Sequence, residues 1–142
     1  EFGEERFAQS IASELVGRRT SSAVRTARDL VCAVEAAVPG RFRRQSRRHP
    51  ATRVFQALRM AVNDELGHLQ RILEGGLPQC IRPGGRAVII SFHSLEDRLV
   101  KRTFRDQQQW QNLTTKPITA TAAEQRLNPR SRSAKLRAAV KK

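Results

Sequence analysis

The stretch RPGGRAVIISFHSLEDR at residues 82–98 decides the fold. Pro83 followed by Gly84 suits the central positions of a type II turn, whose third residue needs a positive φ. The unbroken apolar run at 87–90 then predicts a strand, and a run without alternation predicts a central parallel strand covered on both faces. It ends at Ser91, Phe92 and His93. Ser94 stands three residues before Asp97, the spacing of a capping box, so a helix is expected to start there with Leu95, Leu99 and Phe104 inward. Turn, strand and helix in that order belong to an α/β sheet.

Working outward, residues 113–119 can form a second strand, and Thr121 with Glu124 repeats the capping-box spacing for a short helix. The tail alternates Leu136, Ala138 and Val140 with Lys135, Arg137 and Lys141, a last strand with one apolar and one basic face. Upstream the pattern is helical. Phe7, Ile11 and Leu15 form a stripe over about residues 4–17. Ser21 or Ser22 can cap a second helix carrying Leu30, Val34 and Val38. From Pro50, the residues Val54, Leu58, Val62, Leu66, Leu69 and Leu73 keep helical spacing to the stop at Gly75 and Gly76, one rod of about 35–40 Å.

Charge narrows the function. The 142 residues carry 27 Lys and Arg against 13 Asp and Glu, a net +14, which predicts a polyanionic partner, nucleic acid foremost. An anionic membrane surface is the rival, but no apolar stretch approaches the ~18 residues that span a bilayer and no signal-peptide pattern opens the chain, so a cytoplasmic protein is expected. Cys32 and Cys80 have no Cys or His at zinc-finger spacing, so they read as buried reduced thiols, with no disulfide framework and no metal. Arg43, Arg44, Arg47, Arg48 and Arg53 fall in an acid-free run, and Arg130, Arg132 and Lys135 in another. Both are candidates for phosphate contact, the plain alternative being solvated faces. Trp110 could stack on a base or belong to the core.

Three segments carry a resemblance: HPATRVFQALRMAVNDEL at 49–66, ISFHSLEDR at 90–98 and NPRSRSAKLR at 128–137, with GEERFA at 3–8 ahead of them. In content, order and spacing they resemble the bacterial small-subunit ribosomal RNA (cytosine-N4) methyltransferase family, known as RsmH or MraW. The resemblance implies S-adenosylmethionine-dependent methylation of cytosine N4 in small-subunit ribosomal RNA, on a class I, Rossmann-like sheet interrupted by a helical domain that helps recognise RNA. Residues 1–48 would be part of that insertion and 49–142 the C-terminal portion of the methyltransferase domain. A donor site needs a glycine-rich turn after one strand and an acid ending the next. Neither is present, so no cofactor-binding residue is assigned, and the chain reads as a C-terminal half, inactive alone. Glu1 at the start and a sole Met at position 60 fit that reading. The other reading is a free-standing basic RNA-binding module.

Methylating N4 requires acceptors that hold the amino group while its delocalised lone pair attacks. Positioning therefore supplies most of the effect, the base must be splayed out, and no metal is needed. Ligands of open α/β sheets sit beyond the carboxyl ends of strands, which nominates Ser91, His93, Ser94, Glu96, Asp97 and Arg98. The plain alternative leaves Ser94 and Asp97 as a helix cap, with Glu96 and Arg98 solvated. Asn63 and Glu65 are further candidates, because Asn63 and Asp64 are poor helix formers in a long helix. A catalytic residue is not assigned. A sheet deprived of its first strands would leave the 87–90 strand without neighbours, which favours aggregation or a homodimer.

Overall fold

The computed structural model describes residues 4–45 and 49–142, in two compact units, Glu1–Asn63 and Asp64–Lys142. The first unit is helical: α1 (Ala8–Arg18), α2 (Ala27–Ala37), α3 (Gly40–Gln45) and α4 (Ala51–Val62). Ile11 of α1, Leu30 and Val34 of α2, Val38 and Ala51 form its apolar core. Neither Ser21 nor Ser22 caps α2. Thr26 does, its Oγ1 accepting from Asp29 N at 3.2 Å while Asp29 Oδ2 accepts from Thr26 N at 2.8 Å. This reciprocal pair satisfies two orphan donors at once, which a lone serine cannot do.

The expected single rod is broken. Asn63 ends α4 and Asp64 turns left-handed, at φ 47° and ψ 40°, a conformation that Asp tolerates better than most residues. Its carboxylate accepts from Arg71 Nη2 at 2.9 Å and lies where a Cβ on residue 67 would go, so a side chain there would displace the carboxylate. Helix α5 (Glu65–Arg71) then continues through a π-helical turn, Ile72–Gly76, into α6 (Leu77–Cys80). The glycine pair widens the helix without stopping it. The turn at 82–85 is the one expected, with Gly85 N donating to Arg82 O at 2.9 Å and Gly84 at φ +80°.

The sheet of the second unit differs from the expected parallel arrangement. Strand β1 (Arg86–Ser91) pairs antiparallel with β4 (Lys135–Lys141), and along the other edge of β4 lie β2 (Trp110–Asn112) and β3 (Ile118–Thr119), both antiparallel. The central strand is β4. The strand expected over 113–119 forms only at 118–119, and a separate short strand lies earlier, at Trp110–Asn112.

Register explains the burial. Ala87 faces Ala139 and Ile89 faces Arg137, and this side is covered by α7 (Ser94–Thr103). The core there is Leu73, Ala87, Val100, Phe104, Trp110 and Ala139. On the opposite side Val88 and Ile90 are 57% and 55% exposed. One covered face gives β1 the alternation that its apolar sequence hides. The same parity inverts the expectation for β4, where Arg137 points into the covered side and is 4% exposed. A short helix, α8 (Ala122–Leu127), starts from Thr121, whose Oγ1 accepts from Glu124 N at 3.2 Å as expected. Cys32 and Cys80 are exposed, not buried, so the apolar preference of the thiol is overridden at both positions. No helix of the described residues is long and apolar enough to cross a membrane.

Candidate functional site

The residues at the carboxyl end of β1 take roles that sequence spacing misassigns by one position. His93, in extended backbone at φ −140° and ψ 167°, is the N-cap of α7. Its Nδ1 accepts from Glu96 N at 3.3 Å, and Glu96 Oε2 accepts in return from Phe92 N at 2.8 Å and His93 N at 3.2 Å. The capping box is therefore His93 with Glu96, not Ser94 with Asp97. Ser94 is exposed in the first turn.

Asp97 is released from capping and turned inward, where it meets Arg137. Nε of Arg137 donates to Oδ1 at 2.6 Å and Nη2 to Oδ2 at 3.1 Å, with Lys135 Nζ 3.7 Å from Oδ2. The Arg137 guanidinium holds the Asp97 carboxyl below its ordinary value, against the opposing effect of burial. Ser91 is buried too, its hydroxyl 3.4 Å from Lys135 O. Ser91 and Asp97 thus tie β1 and α7 to β4, and neither is presented to a ligand.

A different trio does converge. One side-chain ligand atom from each of Glu65, His93 and Glu96 lies within 4.8 Å of the others, all three residues half-buried. The His93 side chain is 11% exposed, and its Nε2 sits 3.1 Å from Glu96 Oε1 without the alignment of a hydrogen bond. These three atoms could hold a cation. The cap argues otherwise, because a neutral imidazole that accepts at Nδ1 carries its proton on Nε2, the atom that would have to offer a lone pair. A donor N–H directed among two carboxylates is the arrangement that keeps the helix cap intact.

The remaining candidates are spread out. Asn63 ends the first unit and Glu65 begins α5 of the second, so the break at Asp64 separates two residues that sequence placed on one helix. Arg43, Arg44, Arg53, Arg98, Arg130 and Arg132 are exposed, while Lys135 is half-buried beside Asp97; Arg47 and Arg48 lie outside the described residues. Arg53 Nη1 is 3.7 Å from Glu5 Oε2. Sequence reasoning passed over Arg6, whose guanidinium carbon lies 4.4 Å from the ring centre of Phe42 and 5.0 Å from that of Phe7. Aromatic residues beside a basic run were the available signal. Trp110 belongs to the core, 1% exposed against Phe104.

Comparison with known proteins decides the family. The MraW methylase family matches residues 1–142 in full. The chain belongs to the MraW methylase family. Among curated relatives of this family, the ribosomal RNA small subunit methyltransferase H of Synechocystis sp. is 51% identical over 99% of this chain, and that of Trichormus variabilis is 53% identical over 99%. The protein of the same name in Rhodopirellula baltica is 52% identical over 97% of the chain. In each case the MraW methylase chain spans less than half of the relative, 45%, 45% and 42% of its length.

Proposed function

We propose that this chain is the base-facing part of an enzyme that methylates N4 of cytosine in small-subunit ribosomal RNA, in the cytoplasm, with S-adenosylmethionine as donor. The family match supports methyl transfer and the names of the relatives support ribosomal RNA. The observation that carries the reading is the convergence of Glu65, His93 and Glu96 just beyond the carboxyl end of β1, where open α/β sheets take their ligands. In this reading the antiparallel strands form one side of a class I, Rossmann-like sheet. Residues 1–48 belong to a helical insertion, and the exposed Arg43, Arg44, Arg53, Arg130 and Arg132 contact phosphate.

The described residues do not fit the methyl donor. None of the four strands runs into a glycine-rich turn, and Gly84 and Gly85 precede β1 instead of following it. The donor's contacts therefore fall to other residues, and this chain contributes the placement of the base. The cytosine amino group donates hydrogen bonds, which a carboxylate accepts. Glu65 is the acceptor, and the Nε2–H of His93, which has no hydrogen-bond partner among the described residues, is left for the base, the kind of positioning that supplies most of such a rate enhancement.

The test joins this chain to the complementary part of the Synechocystis relative and measures methyl incorporation into small-subunit ribosomal RNA. Incorporation at cytosine N4 is expected. A folded hybrid that binds RNA and transfers no methyl group would sink the reading in favour of a basic RNA-binding module.

A further inference from the structure

A second cavity lies away from the trio. It has a volume of about 360 Å³, and α5, the π-helical turn, α7 and the start of β2 form its walls. Arg102 on its wall is eight residues along α7 from Ser94, about 12 Å at 1.5 Å per residue, so the cavity is distinct from the site at His93. Leu73, Leu99 and Trp110 give it an apolar lining, and Glu74, Arg102 and Asp106 supply charge.

Two donors here lack acceptors. The indole Nε1–H of Trp110 is buried and has no hydrogen-bond partner among the described residues. An orphan donor in a packed interior is costly and calls for an occupant. The Arg102 guanidinium, on the same wall, forms no ion pair or side-chain hydrogen bond with a described residue. Both carboxylates, in contrast, are held in place. Glu74 Oε1 accepts from Gln70 Nε2 at 2.8 Å, and Asp106 Oδ1 from Gln108 N at 3.0 Å.

We propose that this cavity binds a small dipolar molecule of the α-amino acid class, its carboxylate on Arg102 and the Trp110 N–H and its ammonium on Glu74 and Asp106. A bare anion is disfavoured because two carboxylates face one guanidinium. A nucleotide is disfavoured for the same reason, since its phosphate would face Glu74 and Asp106 as well as Arg102. The ligand's side chain lies against Leu99. Because the indole N–H is buried, the contact with Trp110 requires the neighbouring side chains to yield to the ligand.

Trp110 is the only tryptophan, so its fluorescence reports this cavity directly. The experiment titrates the 142-residue chain with the twenty free amino acids, followed by calorimetry, and then with the methyl ester and the N-acetyl form of any binder. One or a few amino acids should give a saturable shift in emission, and both blocked forms should bind poorly. Arg102→Gln should weaken binding roughly tenfold or more, as removal of a charge-assisted hydrogen bond does, while Arg102→Lys keeps part of the affinity and Lys116→Gln, at an exposed position off the cavity, all of it. No saturable binding at millimolar concentration by either method overturns the proposal. So does an ester that binds as well as the acid, or an Arg102→Gln variant with unchanged affinity.

Discussion

Nε and Nη2 of Arg137 close on both carboxylate oxygens of Asp97, at 2.6 and 3.1 Å, beneath the helix that covers the sheet. Paired buried charges cost little as a pair and much when split. Asp97→Ala and Arg137→Ala should each destabilise the protein by about 3–5 kcal/mol, whereas the double change Asp97→Leu with Arg137→Met should recover most of that stability. Chemical denaturation of the three variants measures it.

The same pair sets an acid limit. Because Arg137 lowers the folded-state value of Asp97, the stability it confers is fully present above the ordinary carboxylate value of about 3.9 and is lost as pH falls through the lowered value. Melting temperature followed downward from pH 5 should fall more steeply in the parent than in Asp97→Asn, whose side chain does not titrate.

His93 has a structural duty and a proposed chemical one, and one substitution separates them. Asn is among the best N-cap residues, so His93→Asn keeps an acceptor for Glu96 N and should leave the melting temperature nearly unchanged. It removes Nε2. In the joined enzyme, methyl transfer should drop at least tenfold while RNA affinity holds. His93→Ala should in addition cost about 1 kcal/mol of stability, and Ser94→Ala less, because Ser94 is not the cap. Normal turnover in His93→Asn would leave the histidine purely structural.

RNA affinity of the chain should fall steeply with salt, and Arg130→Gln with Arg132→Gln should reduce the slope of log K against log salt by about one for each phosphate no longer neutralised. A filter-binding series at several salt concentrations checks it. Calorimetry with S-adenosylmethionine and this chain alone should show no micromolar binding.

The segment at 82–98 was legible because turn chemistry and hydrophobicity act locally: Gly84 has the positive φ that its turn requires, and a strand and helix follow in order. Pairing was not legible. Whether Val88 or Ile89 faces the core depends on a strand some fifty residues away, and an apolar run conceals parity that only the register with β4 reveals. The same distance hid Arg137, which looks like one more member of a basic tail until Asp97 is seen beneath α7. Capping was misplaced by one residue because histidine is an uncommon N-cap, and Ser94 with Asp97 imitates the usual pattern. The break at Asp64 was not foreseen: poor helix formers stand at 63 and 64, but the apolar spacing runs unbroken across them and read as one rod.

All pairing in the sheet passes through β4: each of β1, β2 and β3 bonds to it, and among the described residues none bonds to another. A nick or frameshift ahead of Lys135 would therefore abolish the sheet outright instead of shortening it by one strand. The same hub delays assembly. β3 can close on β4 over the short loop between Thr119 and Lys135, whereas β1 joins only through the much longer closure from Ser91 to Lys135, the step that loop entropy makes slowest.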